Sequence, residues 1–301
     1  MKKFFVAVSV VAFLVACDDS SSASADNNEP TTLSSAEEQG SSFSSKPASS
    51  ESVSSSSSFD KSLSSSSSSV VSSRSEENHS SSSKIGCKME SEDKCEYGEL
   101  IDDRDDQIYK TVKIGDQWWM AENLNYETAN SFCYDDDASN CTKYGRLYTW
   151  VAAMDSAGTW SVNGKGCGYG TTCSPTFPVR GVCPDGWHLP SKDEWNILFN
   201  AVDSFSGAGS KLSDSGVKLR STSGWNRSGN GTDDFSFSAL PAGYWRHGEG
   251  YYSEGYRAYF WSSSEEDSYG AYSMVLYDNI DRAYQEYDHK NNELSVRCVK
   301  N

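Results

Sequence analysis

The amino-acid sequence predicts an α+β domain that is stabilised by disulfides and preceded by a disordered, serine-rich tether. Helical periodicity lies in the first half of the folded part, whereas short aromatic stretches with the alternation of β-strands fill the second half. Helices and strands that are segregated in this way are typical of α+β architecture. The third observation is the set of nine cysteines, which indicates disulfide bonds in a chain that begins with a secretory signal.

The first residues have the character of a bacterial lipoprotein signal. Lys2 and Lys3 form a basic start, and residues 4–15 are apolar but too few to span a bilayer stably. The letters "LVAC" that end at Cys17 resemble the lipobox of bacterial lipoproteins, in which the cysteine is lipidated and becomes the new N-terminus. We therefore expect residues 1–16 to be removed and Cys17 to carry a lipid anchor. An ordinary signal peptide with a chance cysteine is the alternative.

A serine-rich segment separates this signal from the folded part. Half of residues 20–83 are serine, so the segment cannot bury enough apolar surface to offset the entropy of ordering. We expect residues 17–83 to be a disordered tether, with an end-to-end distance of roughly 45 Å. Residues 84–301 have a length that suits one domain. The net charge of -17 argues against nucleic acid and against direct contact with anionic lipid.

Eight cysteines remain after Cys17, and their spacing suggests a pairing. Six of them form three close pairs and two are far apart. The simplest arrangement is Cys87–Cys95, Cys133–Cys141, Cys167–Cys173 and Cys183–Cys298. Many other pairings are possible, and zinc binding competes with disulfides, although no CxxC occurs and the four histidines lie away from the cysteines. The last pair would close a long loop, which the chain-entropy model values at about 4–5 kcal/mol.

Local patterns predict a hairpin and two short helices in the first half. Residues 108–124 alternate on both sides of Gly115-Asp116, which suits a two-residue turn. Residues 145–158 carry apolar side chains at helical spacing and end on a glycine. The letters "SKDE" before Trp195 form a capping box, in which the Ser191 and Glu194 side chains each bind the other residue's backbone N–H. We interpret His188, one turn earlier, as structural.

The second half is predicted to be antiparallel sheet. The letters "DFSFSALPAGYW" at residues 234–245 alternate apolar and polar side chains, and residues 257–264, 271–277 and 294–300 have the composition of strands. Residues 247–256, "HGEGYYSEGY", are rich in glycine and glutamate and are predicted to form a surface loop that displays tyrosines.

The ordered motifs resemble a known family. The segments "DQIYKTVKIGDQWWMAENLNYET", "YGRLYTWVAAMDSAG", "CSPTFPVRGVCPDGWHLPSKDEW" and "AYFWSSSEED" together resemble the Fibrobacter succinogenes major paralogous domain over residues 96–301. This resemblance implies a C-type lectin-like fold, related to that of the formylglycine-generating enzymes, where a stretch similar to "GWHLPSKDEW" starts a core helix. The calcium-binding tripeptides of C-type lectins are missing, and only Cys298 lies where those enzymes carry two reactive cysteines. That form of catalysis is therefore doubtful.

The aromatic second half favours a non-catalytic binding module for polysaccharide or another surface ligand. Tyrosine and tryptophan offer flat faces that suit sugar rings. The candidate ligand-binding residues are Trp245, Glu249, Tyr251, Tyr252, Glu254, Tyr256 and Trp261. The lipobox predicts that the domain is held at the cell envelope, outside the cytoplasm, on the outer membrane or cell surface rather than the inner membrane.

Two alternatives remain open for the function. A structural envelope protein that contacts other proteins has the same composition. An enzyme would need two carboxylates at a defined separation, which a sequence does not reveal. No cofactor is expected, and calcium is a minor alternative that rests on oxygen-bearing side chains in loop-like stretches. These side chains are Asn230, Asp233, Asp234, Glu265, Glu266 and Asp267.

Overall fold

The protein is represented by a computed structural model that describes residues 85–203 and 213–301. The signal segment, Cys17 and the serine-rich tether lie outside the described residues. Among the residues that are described, none of the helices is both long and apolar enough to cross a bilayer.

One sheet combines four strands from the first part of the domain with the last strand of the chain. Its five strands lie in the order β3-β4-β5-β15-β8, and every pair is antiparallel. The strands are β3 (Tyr97–Asp102), β4 (Gln107–Ile114), β5 (Gln117–Met120), β8 (Trp187–His188) and β15 (Val299–Lys300). A separate small hairpin, β1 (Lys88–Met89) and β2 (Glu92–Asp93), precedes them. The predicted turn at Gly115 joins β4 to β5, so this part of the sequence prediction is confirmed.

A second sheet of eight strands dominates the rest of the domain. Six strands lie in the order β10-β9-β14-β11-β12-β13, and β7 pairs with β14 and with β6. The strands are β6 (Ser131–Phe132), β7 (Leu147–Thr149), β9 (Tyr244–Arg246), β10 (Gly250–Tyr252), β11 (Arg257–Glu265), β12 (Gly270–Tyr277), β13 (Tyr284–His289) and β14 (Glu293–Ser295). Short β14 therefore joins the β9–β10 hairpin to the long β11–β13 meander, through Trp245 on one side and Phe260 on the other.

The helices are short. They are α1 (Ala138–Tyr144), α2 (Trp150–Ala153), α3 (Lys192–Val202) and α4 (Ser215–Leu219). The capping box at the start of α3 is confirmed, because Ser191 Oγ accepts from the Glu194 N–H while the Glu194 carboxylate accepts from the Ser191 N–H. Glu194 Oε1 also lies 2.7 Å from His188 Nε2. On the other side of the same ring, Asn301 Oδ1 lies 2.6 Å from His188 Nδ1. The buried histidine thus joins β8 to the start of α3.

The expectation of an α+β, C-type lectin-like domain with two short helices is wrong. Strands and bridges account for 33% of the described residues and helices for only 14%, so the domain is mainly β. Residues 145–158 explain part of the error: they begin with β7 and then form a single helical turn, α2, because Leu147 and Tyr148 pair with Ser295 and Leu294 of β14. Sheet pairing has overridden the local helical spacing.

The predicted strand at residues 234–245 is also wrong over most of its length. Phe235, Phe237 and Ala239 are buried as the alternation implies. However, Ser236 and Ser238 have positive φ, and the buried Asp233 carboxylate accepts hydrogen bonds from the Ser238 N–H and hydroxyl. A chain that repeatedly enters the left-handed region cannot form a strand, so the alternation reports burial in an irregular segment. Conversely, the predicted loop at residues 247–256 contains β10 and pairs with β9.

Two buried hydrophobic clusters fill the domain, and α3 packs into one of them. Trp195 of α3 lies 4.9 Å from Trp119 of β5, measured between ring centroids, and 6.0 Å from Phe260 of β11. Arg297, which is fully buried, binds Asn123 Oδ1 at 2.7 Å and the carbonyl oxygens of Phe237 and Ser238. Its guanidinium therefore ties the irregular segment to the end of β5.

A buried ammonium group binds the end of β13 to two other parts of the chain. Lys290 has no exposed surface, and its Nζ lies 2.8 Å from Glu265 Oε2 and 3.1 Å from the carbonyl oxygen of Thr171. It also lies 4.5 Å from the Trp150 ring. Because a buried charge is tolerated only when its bonding groups are satisfied, these contacts fix the ends of β11 and β13 against the loop that carries Cys167 and Cys173.

The predicted pairing of the cysteines is confirmed. The structure contains four disulfides, Cys87–Cys95, Cys133–Cys141, Cys167–Cys173 and Cys183–Cys298. Three are local, whereas the fourth spans 115 positions and joins the segment before β8 to the segment before β15. The long disulfide therefore acts on the topology of the whole domain.

We predict that the long disulfide contributes more stability than a local one. Replacing Cys183 and Cys298 together by alanine should lower the free energy of unfolding by about 2 kcal/mol more than replacing Cys133 and Cys141, since the loops span 115 and 8 positions. Urea denaturation of the domain and both double variants measures the difference. Equal losses in the two variants would contradict this assignment.

Candidate functional site

An open groove lies between the β9–β10 hairpin and the β11–β13 meander. Its volume is 500 Å³. Tyr244 and Tyr259 contribute aromatic surface from β9 and β11. The carboxyl groups in its lining belong to Glu249, Glu286 and Asp288. Aromatic faces and acidic side chains thus converge on one cleft.

The pairing of strands explains why residues distant in sequence meet there. Ser273 of β12 pairs with Trp261 on one side and with Glu286 on the other, while Ala271 pairs with Asp288. Paired residues point to the same face of a sheet, and alternate residues along a strand do so too. Glu286 and Asp288 therefore share the face of β11 that carries Tyr259.

The carboxyl groups of β13 are held by hydroxyl groups of β12. Ser273 Oγ donates to Asp288 Oδ2 at 2.6 Å, and Tyr277 Oη donates to Glu286 Oε1 at 2.5 Å. Burial raises the pKa of the Asp288 carboxyl above its ordinary value. Burial also raises the pKa of the Tyr277 hydroxyl, and its bond to Glu286 acts in the same direction. The side chains of Glu286 and Asp288 are therefore held in fixed positions.

The aromatic side of the groove consists of tyrosine rings that pack on one another. The rings of Tyr244 and Tyr259 are 4.6 Å apart between centroids, and Tyr252 lies 6.1 Å from Tyr244. Arg257 Nη1 donates to Tyr259 Oη at 3.0 Å. Burial raises the pKa of Tyr259 to about 12, so its hydroxyl stays neutral and can donate or accept a hydrogen bond at any physiological pH.

Two histidines close one end of the groove. The rings of His247 and His289 are stacked with centroids 5.4 Å apart and an angle of 5° between their planes. Tyr169 packs on His289 at 4.6 Å. Burial lowers the pKa of His289, and the neighbouring His247 lowers it further, so this ring is neutral at neutral pH. The pair adds a flat aromatic surface beside the acids.

The seven predicted ligand-binding residues divide between several places. Glu249 lines the groove, and Tyr252, with 41% of its surface exposed, packs against the groove residue Tyr244. Trp261 is fully buried and donates from its indole nitrogen to the Tyr148 carbonyl oxygen, so it belongs to the core. Glu254 accepts hydrogen bonds from the Tyr144 hydroxyl at 2.8 Å and from Lys143 at 3.3 Å, which leaves it a structural role.

The other three predicted residues lie outside the groove lining. Tyr256 is beside Arg227, whose guanidinium is 4.8 Å from the ring centroid. Trp245 and Tyr251 are cross-strand partners and occupy the face of the hairpin opposite Tyr244 and Tyr252. The single hairpin therefore presents tyrosines on both of its faces.

Sequence reasoning missed most of the groove. Tyr259, Glu286, Tyr287 and Asp288 were not selected as ligand-binding candidates, nor were His247 and His289. The usable signal was the alternation of "YQEYDH" at residues 284–289, which places Tyr284, Glu286 and Asp288 on one face of a strand. Their meeting with Tyr259 depends on the pairing of β11 with β12 and of β12 with β13, which no local pattern reveals.

Four of the six side chains considered for calcium are engaged in separate interactions. Asp233 is buried beside Lys88, Glu265 binds Lys290, and Asp267 accepts from the backbone N–H groups of Tyr269 and Gly270. Asn230 accepts from the Trp225 N–H. Within residues 85–203 and 213–301, no group of three or more histidine, cysteine, aspartate or glutamate side chains is arranged to hold a metal ion.

A larger groove of 780 Å³ lies between the β3–β4 hairpin and α1. Three lysines line it, and each has a carboxylate neighbour: Lys88 pairs with Asp233, Lys110 with Glu122 and Lys143 with Glu254. Its charges are thus compensated within the domain. In the smaller groove Glu249 is likewise paired, with Arg246 at 3.2 Å. We nevertheless prefer the smaller groove because Glu286 and Asp288 are bound by hydroxyl groups and form no ion pair among the described residues.

A carboxyl group behind the hairpin has an unusual environment. Glu293 of β14 is 5% exposed, and its Oε2 atom has no hydrogen-bond partner. Burial raises the pKa of Glu293 to about 8, and the negative charge of Asp136 contributes. Glu293 is therefore mostly protonated at neutral pH.

Comparison with known proteins identifies one match. The model of the Fibrobacter succinogenes major domain family matches residues 112–300, which is well over half of the chain. Neither a curated protein nor a solved structure matches the chain. The C-type lectin-like fold that the sequence resemblance implied therefore has no support from a solved structure.

We predict that Glu293 makes the stability of the domain depend on pH. Its pKa is raised in the folded state, so the stabilisation is complete below the ordinary value of 4.5 and is lost as the pH rises through about 8. Glu293→Gln, which mimics the protonated acid, should remove this loss. Between pH 5 and pH 9 the variant should gain on the order of 3 kcal/mol relative to the wild type, measured by urea denaturation. Parallel pH profiles for the two proteins would refute the assignment.

Proposed function

The chain belongs to the Fibrobacter succinogenes major domain family, and we propose that its domain is a non-catalytic module that binds a neutral polysaccharide in the groove between the β9–β10 hairpin and β13. The observation that carries the proposal is the convergence of Tyr244 and Tyr259 with three carboxyl groups on one open cleft. Lipidation of Cys17 would anchor the protein at the cell envelope, and the serine-rich segment would hold the domain away from the membrane.

The chemistry of the groove suits a sugar chain. The face of a tyrosine ring packs against the C–H groups of a pyranose, and carboxylates accept hydrogen bonds from its hydroxyl groups. Glu286 and Asp288 are fixed by hydrogen bonds to the hydroxyl groups of Tyr277 and Ser273 of β12. A rigid arrangement reduces the entropy that is lost on binding.

The charge of the domain favours a neutral chain over an acidic one. The groove contains Glu249, Glu286 and Asp288, and the whole chain carries a net charge of -17. Repulsion therefore opposes polysaccharides that are rich in uronic acid. One stacked ring contributes on the order of 1 kcal/mol, so a single domain binds weakly and several copies on a surface bind with useful avidity.

We predict that removing a groove tyrosine weakens binding selectively. Tyr244→Ala should reduce the affinity for soluble xylan about fivefold or more, because it deletes one stacking face of the groove. Tyr256→Ala is the matched control, since Tyr256 is also partly exposed but lies outside the groove. Isothermal titration with xylan measures both variants, with polygalacturonate as the acidic comparison.

Two results would overturn this assignment. If the folded wild-type domain binds neither xylan nor cellulose, the structural envelope role becomes the better proposal. If Tyr256→Ala loses as much affinity as Tyr244→Ala, the groove is not the binding site. Release of reducing ends from xylan would contradict the non-catalytic role.

A separate prediction concerns the anchor. Native protein should begin at Cys17 and carry a lipid mass on that residue, because the preceding letters resemble a lipobox. Mass spectrometry of the membrane fraction tests this. A mature N-terminus at any other residue, or an unmodified Cys17, would exclude lipid anchoring.

A further inference from the structure

The face of the β9–β10 hairpin that points away from the groove carries a second cluster. Trp245 of β9 is the direct partner of Tyr251 in β10 and of Glu293 in β14. Direct partners in neighbouring antiparallel strands have side chains on the same face, about 5 Å apart at Cβ. An indole ring, a phenol ring and a carboxyl group therefore lie side by side, and both rings are partly exposed.

The segment before α1 completes this cluster. The ring centroid of Tyr134 is 5.0 Å from that of Tyr251, and the two ring planes are tilted by 52°. Tyr251 Oη donates to Asp136 Oδ1 at 2.9 Å. Asp136 is exposed. Three aromatic rings thus surround two carboxyl groups, one at the surface and one inside.

Neither carboxyl group has a cationic partner. In the part of the chain that the structure describes, no lysine, arginine or histidine forms an ion pair with Asp136 or Glu293. Glu293 Oε2 is shielded from solvent and accepts no hydrogen bond. A shielded oxygen without a partner costs free energy that a bound donor would recover. A positively charged group with several N–H donors would therefore complement both carboxyl groups.

We propose that this cluster, which we call the ammonium site, binds the free amino group of an amino sugar. It consists of Tyr134, Asp136, Trp245, Tyr251 and Glu293. An ammonium group is attracted by the faces of aromatic rings and forms charge-assisted hydrogen bonds with carboxylates. Asp136 supplies the negative charge at the surface. The Glu293 carboxyl supplies an oxygen that can accept from N–H in either protonation state.

An amino sugar fits better than a metal ion or a lysine side chain. A calcium or structural zinc ion would need more protein ligands than two carboxyl groups, and the described residues offer no third acidic, histidine or cysteine side chain in position. A lysine side chain would occupy the ammonium position but leave the aromatic rings without a flat partner. A pyranose that carries an amino group satisfies the carboxyl groups and packs on the Trp245 and Tyr251 rings.

The test compares two ligands that differ only at the amino group. Glucosamine oligomers and N-acetylglucosamine oligomers of equal length are titrated into the wild-type domain at low salt. We expect the free amine to bind at least about tenfold more tightly, as a charge-assisted hydrogen bond implies. Asp136→Asn should abolish this preference. The control is Asp135→Asn, which removes the same charge from the neighbouring exposed residue and should change the preference by less than about twofold.

The outcomes separate this site from the groove. Tyr244→Ala should leave the preference for the free amine unchanged, so loss of xylan binding and loss of amino-sugar binding report on different faces of the hairpin. Equal affinity for the two oligomers, or equal effects of Asp135→Asn and Asp136→Asn, would overturn the proposal. Lysine oligopeptides that bind as tightly as glucosamine oligomers would show that the site recognises an ammonium group without the sugar, and would also overturn it.

Discussion

The buried ion pair between Lys290 and Glu265 is the contact on which the geometry of the groove depends. Lys290 directly follows β13, and its ammonium group is also bound by the carbonyl oxygens of Gly168 and Thr171. These contacts hold the end of β13 against the loop that contains Tyr169. Tyr169 in turn packs on His289, the last residue of β13. Removing one member of a buried pair leaves an uncompensated charge and is strongly destabilising. The buried ion pair therefore keeps the carboxyl groups of β13 and the His247–His289 pair in position.

Local signals in the sequence predicted those elements whose causes are local. The turn at Gly115 and the cap at Ser191 each depend on a few neighbouring residues, and both are present. The prediction for residues 234–245 was wrong because the hydrogen bonds of Asp233 and the positive φ angles of Ser236 and Ser238 are not visible in a binary pattern. The α+β assignment was wrong for a related reason. Pairing with β14, which lies more than a hundred positions away, decides the structure of residues 147–149.

The candidate site shows the same division between local and distant causes. The sequence directed attention to the hairpin region because of its aromatic content, and the groove does adjoin it through Tyr244 and Glu249. The sequence could not show which side chains share a face of the sheet, because alternation assigns faces only where a strand is known to form. Tyr251 and Tyr252 are adjacent in sequence, yet they face opposite sides of the hairpin. Glu286 and Asp288 were missed because only the long-range register of three strands brings them to Tyr259.

The attachment of the β9–β10 hairpin has a consequence for how such a domain can diversify. The hairpin has three-residue strands and is joined to the main sheet mainly through one pair, Trp245 with Glu293, and a bridge between Gly243 and Ala258. Of the hairpin residues, Tyr244 packs against a buried hydrophobic cluster. Under the proposed function, substitutions elsewhere in the hairpin would alter which sugar is recognised while the scaffold stays intact. A genome that duplicates this domain could thus acquire a repertoire of receptors by varying a hairpin of nine residues, with little demand for compensating changes in the core.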